Sequence, residues 1–199
     1  MHLPSWLGTL RQWHWISSAL CLAGMLLFAV TGITLNNASH ISAQPTVITV
    51  QEQLPQTLLA KLKQATAEQR MPISVHGWIN QQLGHTVSFA HAEWSSDEVY
   101  LALPRPGGDG WLSLDVDNGE LLFESTDRGW IAYFNDLHKG RNTGAAWSWF
   151  IDLFAAVCVV FSLTGLWLLL RQSAMRPTTW PVTLAGLLIP VFIMLLFIH

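Results

Sequence analysis

Residues 15–35 read WISSALCLAGMLLFAVTGITL, twenty-one positions without one charged side chain. At about 1.5 Å of rise per residue, a helix of this length spans roughly 31 Å, the thickness of a bilayer's hydrocarbon core. Two further runs have the same character. Leu153 to Leu170 is uncharged and is preceded by an apolar stretch from Ala145 that contains Asp152. Trp180 to Ile198 is also uncharged, with Pro181 near its start and Pro190 in mid-run. A proline at that position kinks a helix. The hydrophobic part of a cleaved signal is about 7–15 residues long. The first run exceeds that and has no small-x-small site close behind it, so it is expected to be a permanent anchor.

The rest of the composition agrees. The chain has 199 residues, 51% hydrophobic and 12% charged, against about 25% charged in a soluble domain. The formal net charge of −3 leaves no basic footprint for nucleic acid. Cys21 and Cys158 both lie inside apolar runs and read as packing residues, with no disulfide framework. Arg11 precedes the first run, and Arg171 and Arg176 lie between the second and third. Basic residues beside short flanks stay in the cytoplasm. The expected order is therefore a cytoplasmic segment 1–14, a first span 15–35, an outer domain 36–144, a second span 145–170, a cytoplasmic loop 171–179 and a third span 180–198. The N-terminus is inside and the C-terminus outside. Trp6, Trp13, Trp15, Trp147, Trp149, Trp167 and Trp180 fall near span edges, as interfacial aromatic belts do.

The segment 36–144 holds 7 basic and 12 acidic residues. That charge content is still lean for a soluble module, which suggests a face resting against the bilayer or a partner. Thr46 to Val50 reads as a short strand. Leu58, Leu59, Leu62, Ala65 and Ala67 recur at near-helical spacing behind Pro55, and Pro72 ends that helix. Strand-like alternation follows at His85–Ala90, Val99–Leu103 and Trp111–Val116, with a turn at Asp117-Asn118-Gly119 and a return through Leu121 to Phe123. Arg128 to His138 reads as an amphipathic helix leading back to the membrane, broken from the second span by Gly140 and Gly144. The fold class is an α-helical integral membrane protein of three transmembrane helices with an inserted small α+β domain.

Several stretches in this order carry a resemblance. Trp13-His14-Trp15 opens the first span and Thr31-Gly32 closes it. Trp111-Leu112-Ser113-Leu114-Asp115-Val116-Asp117-Asn118-Gly119-Glu120-Leu121 forms a hairpin. Asp136-Leu137-His138-Lys139-Gly140 precedes the second span, which contains Leu163-Thr164-Gly165-Leu166-Trp167. The chain resembles the PepSY-associated transmembrane helix family of bacterial inner-membrane proteins, and the hairpin is similar to the last hairpin of a PepSY domain. Some larger members are ferric-siderophore reductases that carry electrons on haem b with histidine ligands. The resemblance thus implies His14 and His138 as ligands to haem iron.

Those two histidines stand at opposite ends of the spans, so one haem does not bridge them. His138 would pair with His40 or His199 on the outer side. His14 would pair with His2 or with His14 of another subunit. Lys139 and Arg141 suit haem propionates. A quinol or a membrane partner protein would donate electrons, a ferric siderophore would be the substrate, and membrane lipid would be the medium. No Gly-rich strand-to-helix turn marks a nicotinamide or flavin site, and no nucleophile turn marks a hydrolase. The reading from a different class is a non-catalytic adaptor or accessory subunit of a transporter or reductase. It would act through an edge strand or the loop Pro104-Arg105-Pro106-Gly107-Gly108. His76, His85 and His91 read as surface histidines.

Overall fold

The computed structural model describes residues 8–41 and 44–198. Among the described residues six α-helices and five strands follow one another: α1 (Leu10–Asn36), β1 (Thr46–Gln53), α2 (Gln56–Ala65), α3 (Ile73–Leu83), β2 (Glu93–Trp94), β3 (Glu98–Ala102), β4 (Gly108–Asp115), β5 (Glu120–Asp127), α4 (Gly129–Lys139), α5 (Gly144–Gln172) and α6 (Thr179–Phe197). Three of the helices, α1, α5 and α6, are long and apolar enough to cross a membrane. Pro190 lies inside α6.

The chain divides into two compact units. One joins the N-terminal part, to Leu27, with the part from Trp149 onward; the other is Phe28–Ser148. The first is helical and apolar on its outside. Neither α5 nor α6 has a buried residue among those described. Cys21 is fully buried, and Gly24 sits against the ring of Phe154, where a Cβ would collide with it. Small residues at such points let helices approach closely in an apolar medium.

The second unit contains an antiparallel sheet in the order β1-β5-β4-β3-β2. Leu112 lies opposite both Leu101 and Phe123, and Leu114 opposite both Val99 and Leu121. The period of two puts these residues on one face. Against that face pack Leu59 and Leu62 of α2 and Val75 and Ile79 of α3, forming the core. The β4–β5 turn is fixed by Asp115, whose Oδ1 accepts from the backbone N–H groups of Asp117 and Asn118, each at 2.8 Å.

One element was not expected and one local expectation fails. Pro72, read as the stop of a helix, is also the N-cap of a second helix, α3, over a stretch to which no element was given. The segment His85–Ala90 was expected to be a strand. It is irregular and ends in a single 3-10 turn, Phe89–His91, with the Ser88 hydroxyl facing the Ala90 amide at 3.5 Å. One edge of β3 pairs with β2 and the other with β4, so β3 has no edge left for that segment.

Candidate functional site

His14 lies in the second turn of α1. Its Nδ1 is 3.0 Å from Thr164 Oγ1 on α5. Its ring stacks on Phe161 at 4.9 Å between centroids and 11° between planes. Gly165 leaves room for it: a Cβ there would stand 3.1 Å from the imidazole Cε1.

His138, near the end of α4, repeats the arrangement on α1. Its Nδ1 is 2.6 Å from Thr31 Oγ1. Its ring packs on Phe28 at 4.9 Å, and a Cβ on Gly32 would come within 3.7 Å of its Cε1. The receiving surface is the same five-residue motif twice, Phe28-Ala29-Val30-Thr31-Gly32 and Phe161-Ser162-Leu163-Thr164-Gly165. Phe and Thr three residues apart share a helix face, and the glycine lowers its wall. The Thr-Gly pairs were visible in the sequence. The phenylalanine three places ahead was not singled out, though its spacing carried the signal.

Thr31 Oγ1 donates to Phe28 O at 3.2 Å. Thr164 Oγ1 has Val160 O at 2.7 Å and Phe161 O at 3.0 Å. With each hydroxyl hydrogen given to its own helix, the oxygen accepts from Nδ1–H of the histidine. Among the described residues neither Nε2 has a hydrogen-bond partner. An imidazole anchored through one nitrogen and open at the other is the form that ligates a metal. The donor chemistry therefore fits an axial ligand of haem iron.

The other expected residues are placed as follows. His40 ends a 3-10 turn, exposed, with Nδ1 3.3 Å from Ser39 Oγ. It makes no hydrogen bond or ring contact with His138 among the described residues. His199 lies outside the described residues. Lys139 is exposed at the end of α4. Arg141 forms an ion pair with Asp136 at 3.5 Å.

Asp136 is the residue the sequence reading missed. It is 6% exposed and accepts from Gly107 N at 2.9 Å and from Arg128 at 3.3 Å. Around it the whole of Asn135-Asp136-Leu137-His138 is engaged. Thr34 donates to Asn135 Oδ1 at 2.6 Å, and Trp147 Nε1 donates to Leu137 O at 2.9 Å. Of the loop Pro104–Gly108, expected to be exposed, Pro104 and Arg105 are exposed, whereas Gly107 and Gly108 are buried. Gly107 has φ +68°, and a Cβ would stand 2.7 Å from Tyr133 Cα. Only glycine fits there without strain. Arg105, Asp127, Trp130 and Tyr133 line a cleft of about 450 Å³ beside this loop. Among the described residues no three His, Cys, Asp or Glu side chains converge as a metal cluster.

A family model, PepSY_TM-like, matches residues 5–199. The chain belongs to the PepSY_TM-like family. Neither the curated proteins nor the solved structures contain a match. Membership covers nearly the whole chain, so the third apolar helix of this PepSY_TM-like protein belongs to the family pattern as much as the sheet does.

Proposed function

We propose that this PepSY_TM-like protein is a bacterial inner-membrane electron carrier that binds haem b at separate sites, one at His138 and the other at His14. The observation that carries this reading is the shared clasp. At both sites Nδ1 faces a threonine hydroxyl and Nε2 has no hydrogen-bond partner among the described residues. The haem, when bound, supplies one-electron transfer. The chain's own contribution is to fix each imidazole by one hydrogen bond and one ring contact, so that Nε2 keeps its direction. Lys139 would offset propionate charge, while Arg141 is shared with Asp136.

In this reading α1, α5 and α6 span the membrane. The basic residues Arg11, Arg171 and Arg176 stay inside, and the sheet unit faces outward. A quinol or membrane partner protein is the donor, and a ferric siderophore is the substrate class in iron uptake.

A second reading has an observation of its own. Each histidine–threonine clasp is made without a metal: one ties α1 to α5 and the other ties α4 to α1, as polar side chains do in an apolar medium. That supports a non-catalytic adaptor or accessory subunit. The reduced-minus-oxidised absorbance of the detergent-purified protein, expressed with haem supplied, separates the two. The carrier gives a haem b spectrum that weakens in His138→Ala and in His14→Ala. No spectrum from a folded, haem-supplied protein leaves the adaptor.

A further inference from the structure

We propose that α4 is an interfacial helix lying on the bilayer surface, with Trp130, Ile131 and Phe134 seated at the boundary between lipid headgroups and acyl chains. This rests on the reading of α1 and α5 as membrane spans.

Trp130 is 76% exposed, Ile131 46% and Phe134 40%, a large apolar surface for an eleven-residue helix. The aromatic rings touch one another: Trp130 and Phe134 stand 6.3 Å apart, and Tyr133 and Phe134 5.5 Å. The patch is therefore continuous, and continuous exposed apolar patches mark contact surfaces.

What covers it follows from where α4 is held. Ile131, Phe134 and His138 are spaced three and four residues apart and share one face. On that face His138 meets Thr31 and Phe28, five and eight residues before the end of α1. The face that carries Ile131 and Phe134 is thus the one turned to the apolar wall of a span. Another side of α4 is latched to the sheet unit through Asp136 and Gly107. At its far end only 140–143 separate α4 from α5, and Trp147 in the first turn of α5 bonds back to Leu137 O.

A helix pinned near the ends of two spans stands at interfacial depth. Its apolar face, which it shares with His138 on the wall of α1, meets lipid. Lys139 at its end suits anionic headgroups, as in amphipathic helices that lie in the membrane plane, while Arg128 and Arg141 are paired with Asp136.

The test is nitroxide labelling of the full chain in lipid vesicles. Cys21→Ala and Cys158→Ala remove the native thiols, and single cysteines are placed at Ile131→Cys and, separately, Trp130→Cys. Two references accompany them: Leu163→Cys on α5, 62% exposed, and Asp117→Cys in the β4–β5 turn. Collision with oxygen against collision with an aqueous nickel chelate is read at each site. The expected result is an oxygen-to-chelate ratio at 130 and 131 several-fold above that at 117 and near that at 163. A ratio at both sites matching Asp117→Cys means water and overturns the proposal. Low accessibility to both reagents means a protein cover, either a second copy or a partner, and overturns it as well. If Leu163→Cys is itself open to the chelate, the span fails and the proposal goes with it.

Discussion

Asp136 joins three separate stretches of chain through one carboxylate: the Gly107 turn, Arg128 before α4 and Arg141 after it. A buried acceptor bonded to charged donors contributes more than a neutral bond. Removing it also leaves the Gly107 amide without its partner. Asp136→Ala is expected to destabilise the protein by about 2–3 kcal/mol. Thermal unfolding in detergent, followed by tryptophan fluorescence, checks this against Asp117→Ala, whose exposed side chain should leave the midpoint nearly unchanged. The sequence could not have marked Asp136 among the acidic residues of its segment. Its value depends on Gly107, twenty-nine residues away, arriving with an unpaired N–H. His14 and His138 were singled out for a different reason: the resemblance matches them to the family's two histidine positions.

At the scale of elements, the long apolar helices and the hairpin were readable because their signals are local. Twenty uncharged residues need no partner to declare a helix. An Asp-Asn-Gly turn between alternating apolar residues declares its own return. α3 was not read for a physical reason that its sequence also shows. Pro72 was taken as the stop of one helix, yet proline just ahead of the first turn equally starts another. Gln69 ends the preceding turn in a left-handed conformation at φ 50°, so both roles fall within four residues. Val75 and Ile79, at i and i+4, carried the helical signal, but β-branched residues around Gly77 weaken propensity. Tertiary burial decides the matter: both are fully buried against the sheet. Ile79→Ala is therefore expected to cost about 2–5 kcal/mol, the range for emptying a large core site. Ile73→Ala on the same helix, 86% exposed, should cost far less. Denaturant unfolding of the two variants side by side provides the measurement. Similar losses would mean that α3 is not packed as described.

At the scale of the molecule, the sheet unit is an insertion. The unit that precedes and follows it is assembled from both ends of the chain, so α1 must find α5 across more than a hundred intervening residues. The pair of thiols reports whether it does. Cys21 is buried, with its Sγ 3.8 Å from Ser18 O. Cys158 of α5 lies near it, and both are free thiols. A copper–phenanthroline oxidant in the membrane should join them, removing two electrons and two protons to form one disulfide within a single chain. Cleavage inside the sheet unit would then leave the two ends linked until a reductant is added, and Cys21→Ser would abolish the link. Linkage only between separate chains, or none under conditions that oxidise other intramembrane cysteine pairs, would contradict the α1–α5 pairing. The His14 clasp would fail with it, because Thr164 and Phe161 reach His14 only if these two helices lie side by side.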